Sequence, residues 1–360
     1  MTHADPIPTA VEVTAGWLTE RLRDAGFLDA EVSDLECRTI GLPHVSGCFR
    51  FTLQYARPDP AYPATIIGKF PSDDATTREF SAQIYANEVA FYRDLQARVT
   101  IPTPVCFLAD IDGAGPAFVL LLEDMHPARQ GNQVAGCGPD LAHAAVVQLV
   151  ELHAPTWCDA SLLRSGWLAQ DDPAGFQTLL QQLYRDFLAE PLERFDADLS
   201  AEAKELMTRV GEGAEFPVGV LDPDPFCVVH GDYRLDNLLI DESLEPPRIT
   251  AVDWQTMGVT SPLTDVAYFM GASLHPADRR ETEESIVRAY HEALAAAGIE
   301  DFDWAACWEG YRRASLYGLG IAVLARGVAA RNPDGDGLFR VLLQRHAAHA
   351  LDLGAEEFLF

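Results

Sequence analysis

A change of hydrophobic period near residue 124 constrains this chain more than any other feature of its sequence. Before it, apolar residues come in short runs bounded by glycine, proline and aspartate. After it, they recur every three or four positions through alanine- and leucine-rich stretches. Short bounded runs read as strands, and the longer spacing reads as helices. Residues 13–25 fit an amphipathic helix ended near Gly26. Residues 36–40 and 48–55 fit two strands around a turn with Pro43, Ser46 and Gly47, and 64–70 a third strand closed by Pro71. Residues 77–96 fit a helix with Phe80, Ile84, Phe91 and Leu95 on one stripe, stopped by Pro102 and Pro104. Two further strands, 105–109 and 118–123, meet at Asp112-Gly113. Helical spacing then fills 140–153, 175–187, 201–210, 262–270, 282–297 and 304–325, interrupted by a strand pair at 238–240 and 249–252. The expected fold is α+β with two lobes: a small antiparallel-sheet lobe over residues 1–124 and a large, mostly helical lobe over 125–360. Two lobes on one short link make a cleft, where small ligands bind.

Composition narrows the partners. About half of the 360 residues are hydrophobic, enough for a sizeable core, and the net charge is −29. Such a surface repels phosphate backbones and anionic lipid, so neither nucleic acid nor membrane is expected as a partner. The seven cysteines (Cys37, Cys48, Cys106, Cys137, Cys158, Cys227, Cys307) include no Cys-x-x-Cys pair. Neither a zinc site nor a disulfide framework is signalled, and a reducing cytoplasm is the expected compartment. The opening Met-Thr-His-Ala-Asp-Pro does not read as a signal peptide, and the apolar run 118–122 is too short to span a bilayer.

The sharpest motif is His230-Gly231-Asp232-Tyr233-Arg234-Leu235-Asp236-Asn237, entering the strand at 238–240; the partner strand ends in Val252-Asp253-Trp254. A tight hairpin would bring two carboxylates and a carboxamide to one edge. Oxygen ligands there suit magnesium, which takes few protein ligands besides phosphate oxygens. Phosphoryl transfer needs a carboxylate to orient the attacking hydroxyl and metal ions to neutralise the phosphates. Asp232 is the candidate base, and Asn237 and Asp253 the candidate metal ligands. An isolated His-Gly-Asp is more often a plain turn; the hairpin and Asp253 argue against that here. Asp236 is expected to be solvated, His230 to buttress the loop, and Asp265 to serve structurally near a helix start. Glu88 falls on the apolar stripe of its helix, where a carboxylate needs a partner. Lys69, ending the third strand, is the natural one, and Glu79 is the solvated alternative. The glycines of the 41–47 turn permit close backbone approach, although Gly-x-Gly-x-x-Gly is absent. Trp157, Trp304, Trp308 and Tyr311 are read as core ahead of an acceptor pocket.

These blocks resemble the aminoglycoside phosphotransferase and choline kinase-like superfamily, which shares the protein-kinase fold. Phe118 to Met125 resembles its hinge, Leu152-His153-Ala154-x-x-Trp157 the helix after it, and Ser261 to Ala267 the stretch in which an aspartate braces the catalytic loop. The hinge and the Trp157 block look closer to the ecdysteroid kinase-like branch. The resemblance implies ATP in the cleft, with Lys69 and Glu88 on its phosphates, the loop containing Gly47 over them, and backbone groups of Glu123 and Met125 on adenine. The expected activity is ATP- and Mg2+-dependent phosphorylation of a hydroxyl on a small molecule, such as an antibiotic, a sterol-like alcohol or another secondary metabolite. A catalytically inactive nucleotide-binding regulator and a protein kinase are the alternatives. Only eight residues separate Asp253 from Pro262, which leaves little room for a peptide-docking activation segment.

Overall fold

Alternation decides the first sheet. On β2 (Ser46–Tyr55) and β3 (Thr65–Pro71), Phe51, Leu53, Ile66 and Phe70 turn to one side, joined by Val119 and Leu121 of β5 (Phe118–Glu123). Successive strand side chains point to opposite faces, so these positions form one apolar surface. It packs on Leu18 and Leu22 of α1 (Ala15–Asp24). Thr14 caps α1 by accepting the Trp17 N–H at 3.2 Å, and Gly26, at φ +104°, turns the chain out of it. With β1 (Val32–Ile40) and β4 (Cys106–Ile111) the sheet has five antiparallel strands in the order β1-β2-β3-β5-β4. Lys69 faces the other way, in register with Cys48 and Leu120.

This computed structural model describes residues 6–40, 46–113, 115–164, 172–213, 216, 225–328 and 335–359. The chain divides into two compact units. The first takes the chain to Arg98, then Pro102–Arg129 and Thr250–Thr256; the second takes the rest. The sequence placed a single boundary after residue 124. In the structure the first unit runs on to Arg129 and gains Thr250–Thr256, which begins inside the last strand of the later hairpin. The helix expected over 77–96 is three pieces: α2 (Ala75–Phe80), capped by Asp74 on Thr77 N–H at 2.7 Å, α3 (Ala82–Ala90), and a π turn over Phe91–Leu95. The break falls at Ser81, and the widened turn is where Phe91 stacks on Trp254, with ring centres 3.7 Å apart. Such wide turns recur where a helix must present side chains to a site.

The second unit contains α4 (Pro139–Gln148), α5 (Val150–His153), α6 (Pro173–Phe187), α7 (Ala189–Arg194), α8 (Ala201–Glu212), α9 (Leu263–Ser273), α10 (Pro276–Ala296), α11 (Trp304–Val328) and α12 (Asp336–Asp352). Asp172 and Ser200 cap α6 and α8 through the N–H groups of Gly175 and Ala203. Helix α9 is buried along its whole length, and Met207, Leu319, Val323 and Leu343 lie at the centre of one apolar core. Helices α7 and α12 were not foreseen. Five short strands remain: β7 (Cys227–Val229) pairs with β10 (Gly258–Thr260), and β6 (Arg129–Gln130), β8 (Leu238–Asp241) and β9 (Arg248–Ala251) form a second small sheet. Among the described residues no helix is long and apolar enough to cross a membrane.

Candidate active site

In the first unit the sheet face turned away from α1 carries a buried cation between two carboxylates. Lys69 Nζ lies 2.6 Å from Glu88 Oε2 and 3.0 Å from Asp253 Oδ1. Glu88 is 1% exposed. Burial disfavours the Lys69 ammonium, but Asp253 and Glu88 outweigh it and hold its pKa above the ordinary lysine value. Burial pushes the Glu88 carboxyl up, Lys69 pulls it back and Asp253 adds to the rise, so the net direction is upward. An ammonium at 2.6 Å still makes the charged pair the form this geometry fits. Asp253 takes φ +68°, a left-handed conformation that costs an L-residue energy. Its neighbours fix it there: Trp254 is fully buried against Phe91, and Asn87 Nδ2 donates to the Gln255 carbonyl at 3.3 Å. Glu79, the alternative partner, is exposed.

The segment after β5 is equally fixed. Arg50 holds Asp124 with a hydrogen bond from Nη2 to Oδ1 at 2.9 Å and an ion-pair approach of Nε to Oδ2 at 2.5 Å. Burial opposes the charge on Asp124, yet Arg50, Thr65 and the His126 N–H together hold its pKa below the ordinary aspartate value. The Glu123 N–H is spent on the Val105 carbonyl and the Met125 carbonyl on the Ala128 N–H. The Met125 N–H has no partner among the described residues. Gly47 corrects an expectation: it lies inside β2, opposite Phe70, where a Cβ would come within 2.8 Å of the Phe49 ring. Its glycine therefore has a packing reason of its own. Residues 41–45 of the expected turn lie outside the described residues.

In the second unit the loop after β7 is held from behind. The N–H groups of His230 and Gly231 donate to Asp265 at 2.6 and 2.9 Å. Asp265 is fully buried, with His153 Nε2 at 3.4 Å, and Tyr290 OH bonds the far nitrogen of that ring. The carboxylate thus serves the loop; it does not cap the first turn of its own helix. Gly231 sits at φ +79°, and its carbonyl accepts from Tyr317 OH at 2.7 Å. His230 is buried and its Nδ1 accepts the Asp232 N–H at 3.3 Å. Asp232 is surrounded by donors: Tyr268 OH at 2.8 Å on Oδ1, Asn237 Nδ2 at 2.8 Å on Oδ2, and Arg234 Nε shared between them at 3.0 Å from Oδ1 and 3.2 Å from Oδ2. Asn237 also donates to the Asp232 carbonyl at 2.9 Å.

Asp236 is not the free, solvated carboxylate that the sequence suggested. It accepts the Gln133 N–H at 3.1 Å and pairs with Arg234. Tyr311 is buried in the core, whereas Trp157, Trp304 and Trp308 are half-buried, with Arg288 3.9 Å over the Trp304 ring. The sequence reading missed Arg234, Tyr268 and Tyr317. Arg234 lies inside the motif itself. Tyr268 follows Asp265 by three residues, the spacing that puts two side chains on one helix face, and that was the available signal.

A buried lysine–glutamate pair on an antiparallel sheet, an aspartate closing a hairpin, and an Asp-x-x-x-x-Asn loop between β7 and β8 define the class as kinase-like phosphotransferases. The family within that class follows from the sequence as a whole. The chain belongs to the ecdysteroid kinase-like family, whose model matches residues 43–299. The class is that of small-molecule kinases, with an alcohol group as acceptor. Among solved structures it resembles choline kinase from Cryptosporidium parvum Iowa II, at 12% identity over 96% of each chain with a TM-score of 0.51. It also resembles a variant of aminoglycoside 2'-phosphotransferase-IIIa in complex with GDP, at 14% identity over 95% of this chain and 99% of that one, with a TM-score of 0.53. At such identities these likenesses carry the fold alone. Among curated proteins none matches the chain.

Proposed function

We propose that the protein transfers the terminal phosphoryl group of ATP, taken up with magnesium, to a hydroxyl of a small molecule. Lys69 carries this reading: a buried ammonium salt-bridged to Glu88 and Asp253 at once. Lysine is among the residues least often buried, and a fixed cation there is suited to phosphate oxygens. Each unit offers an oxygen group of the kind that magnesium takes. Asn237 spends its amide nitrogen on Asp232, which leaves its carbonyl oxygen for a cation, and the Asp253 carboxylate is still 31% exposed. Among the described residues no cluster of three or more histidine, cysteine or acidic ligands could form a complete cage. Magnesium takes a few protein oxygens and fills its shell with water and phosphate. When bound, it neutralises charge on the phosphates.

In this reading Glu88 keeps Lys69 in place, Lys69 binds phosphate, and the backbone of Glu123 and Met125 meets the adenine edge. Asp232 orients the acceptor hydroxyl and accepts its proton as the oxygen bonds to the terminal phosphorus and the bond to the bridging oxygen breaks. His230 and Asp265 hold the loop that carries Asp232. The acceptor is a small-molecule alcohol, and the net charge of −29 argues against nucleic acid or anionic membrane as a partner. Free thiols at all seven cysteines accord with a cytoplasmic setting. The test uses purified protein, labelled ATP, magnesium and a panel of aminoglycosides, amino alcohols and sterol-like alcohols. Asp253→Ala should abolish nearly all transfer, and Asp232→Asn should lower turnover by about 10²- to 10⁴-fold. Undiminished transfer in either variant sinks the assignment; label entering proteins but no small molecule would favour a protein kinase.

A further inference from the structure

Behind Asp232 lies a stack of rings that the reaction outlined above does not use. Tyr268, on α9, gives its hydroxyl to Asp232 Oδ1 at 2.8 Å. Its ring lies nearly parallel to that of His346 on α12, with centres 5.2 Å apart at 20°, and meets Tyr317 on α11 edge-on at 5.6 Å. His346 is fully buried, and neither ring nitrogen has a hydrogen-bond partner among the described residues. Buried polar groups are normally satisfied, so an orphaned imidazole calls for a reason.

The reason is shape. A Cβ at Gly271 would come within 2.6 Å of His346 Nδ1, and one at Gly318 within 2.2 Å. Both glycines stand inside helices, where glycine is unfavourable. Two helices therefore give up side chains to admit one flat, small ring against Tyr268. Phenylalanine would overfill that slot, and leucine would not present a flat face. The result is a tyrosine hydroxyl with little freedom to move.

Its effect falls on the lone pairs of Asp232. Tyr268 bonds Oδ1 alone, Asn237 bonds Oδ2 alone, and Arg234 Nε shares its one N–H between them, 3.0 Å from Oδ1 and 3.2 Å from Oδ2. The carboxylate is therefore held by one private donor on each oxygen, and loss of the Tyr268 bond would free its torsion on the Oδ1 side. We infer that Tyr268, braced by His346, is a positioning residue that fixes the torsion at which the Asp232 carboxylate meets the acceptor hydroxyl. This rests on the reading of Asp232 as the base.

The test compares Tyr268→Phe, His346→Leu and Asp232→Asn in the full chain. Phosphate release from MgATP, with water as acceptor, is measured beside transfer to the alcohol panel. Tyr268→Phe should lower kcat about 10- to 100-fold, the worth of one hydrogen bond to a charged group, with the KM for MgATP within about twofold. His346→Leu should show the same kcat-only loss. A Tyr268→Phe enzyme with parental kcat, beside an inactive Asp232→Asn, overturns the inference and leaves the base in place. A fully active Asp232→Asn removes the base reading and this inference with it. A crystal structure of Tyr268→Phe in which the Asp232 carboxylate keeps its torsion and both remaining partners also overturns it, with no turnover measured.

Discussion

Removing the Asp265 carboxylate should loosen the catalytic loop by an amount that follows from its bonds. Two backbone amides, of His230 and Gly231, end on its two oxygens at 2.6 and 2.9 Å, and the group is fully buried. Asp265→Ala leaves both amides without an acceptor where water has no ready access. Each stranded donor costs about 1–3 kcal/mol, so the pair costs roughly 3–5 kcal/mol. In a unit of this size that lowers the melting temperature by about 10 °C. Asp265→Asn keeps one acceptor oxygen and turns an NH2 group toward the other amide, so it should lose about half as much as the alanine variant. Thermal unfolding gives the global figure, and amide hydrogen exchange at His230 and Gly231 gives the local one. Exchange there should quicken in both variants, more in alanine than in asparagine. An Asp265→Ala protein that melts within about 2 °C of the parent, with unchanged exchange at both amides, would refute the reasoning, because the bonds would then be carrying nothing.

Two further predictions use the buried charges. Lys69→Met strands Glu88, so it should destabilise the first unit by roughly 3–5 kcal/mol, whereas Lys69→Met with Glu88→Leu should recover most of that loss; a double-mutant cycle by urea unfolding with a coupling near zero would contradict the pair. Glu283 is nearly buried, and although burial opposes its charge, His349, Arg279 and Tyr311 hold its pKa down at about 2. Burial pushes the His349 pKa below its ordinary value, and Arg279 pairs with the same Glu283 oxygen. A carboxyl with a depressed folded pKa stabilises above its unfolded value, near 4.5, and loses that contribution as the pH falls toward 2. Glu283→Gln should therefore be less stable than the parent by roughly 2–3 kcal/mol near neutral pH, with the two converging on acidification; a gap that stays constant from pH 7 to about pH 3 would contradict this.

The sheet and most helices could be read from spacing because apolar periodicity follows burial directly. Residues such as Phe51, Leu53 and Ile66 announce their face by alternation. Helix α12 hid because its inward side carries Arg345, His346 and His349, polar residues that a hydrophobic stripe does not register. The break at Ser81 and the π turn after Ala90 were equally invisible, since both serve a tertiary stack on Trp254 from far along the chain. Asp232, Asn237 and Asp253 stood out through fixed local spacing. Tyr268 did not, because its partner lies 36 residues away and only folding brings them together. Asp236 looked solvated in sequence because Gln133, its backbone partner, is more than a hundred positions distant.

The left-handed backbone of Asp253 sets a filter on what evolution could put there. Among residues with side chains, only aspartate and asparagine enter that region cheaply, and of these only aspartate brings a full negative charge. Glycine would keep the bend and forfeit the oxygens; glutamate would keep the charge and strain the bend. Geometry and chemistry thus overlap on a single amino acid, so drift at this position has almost nowhere to go.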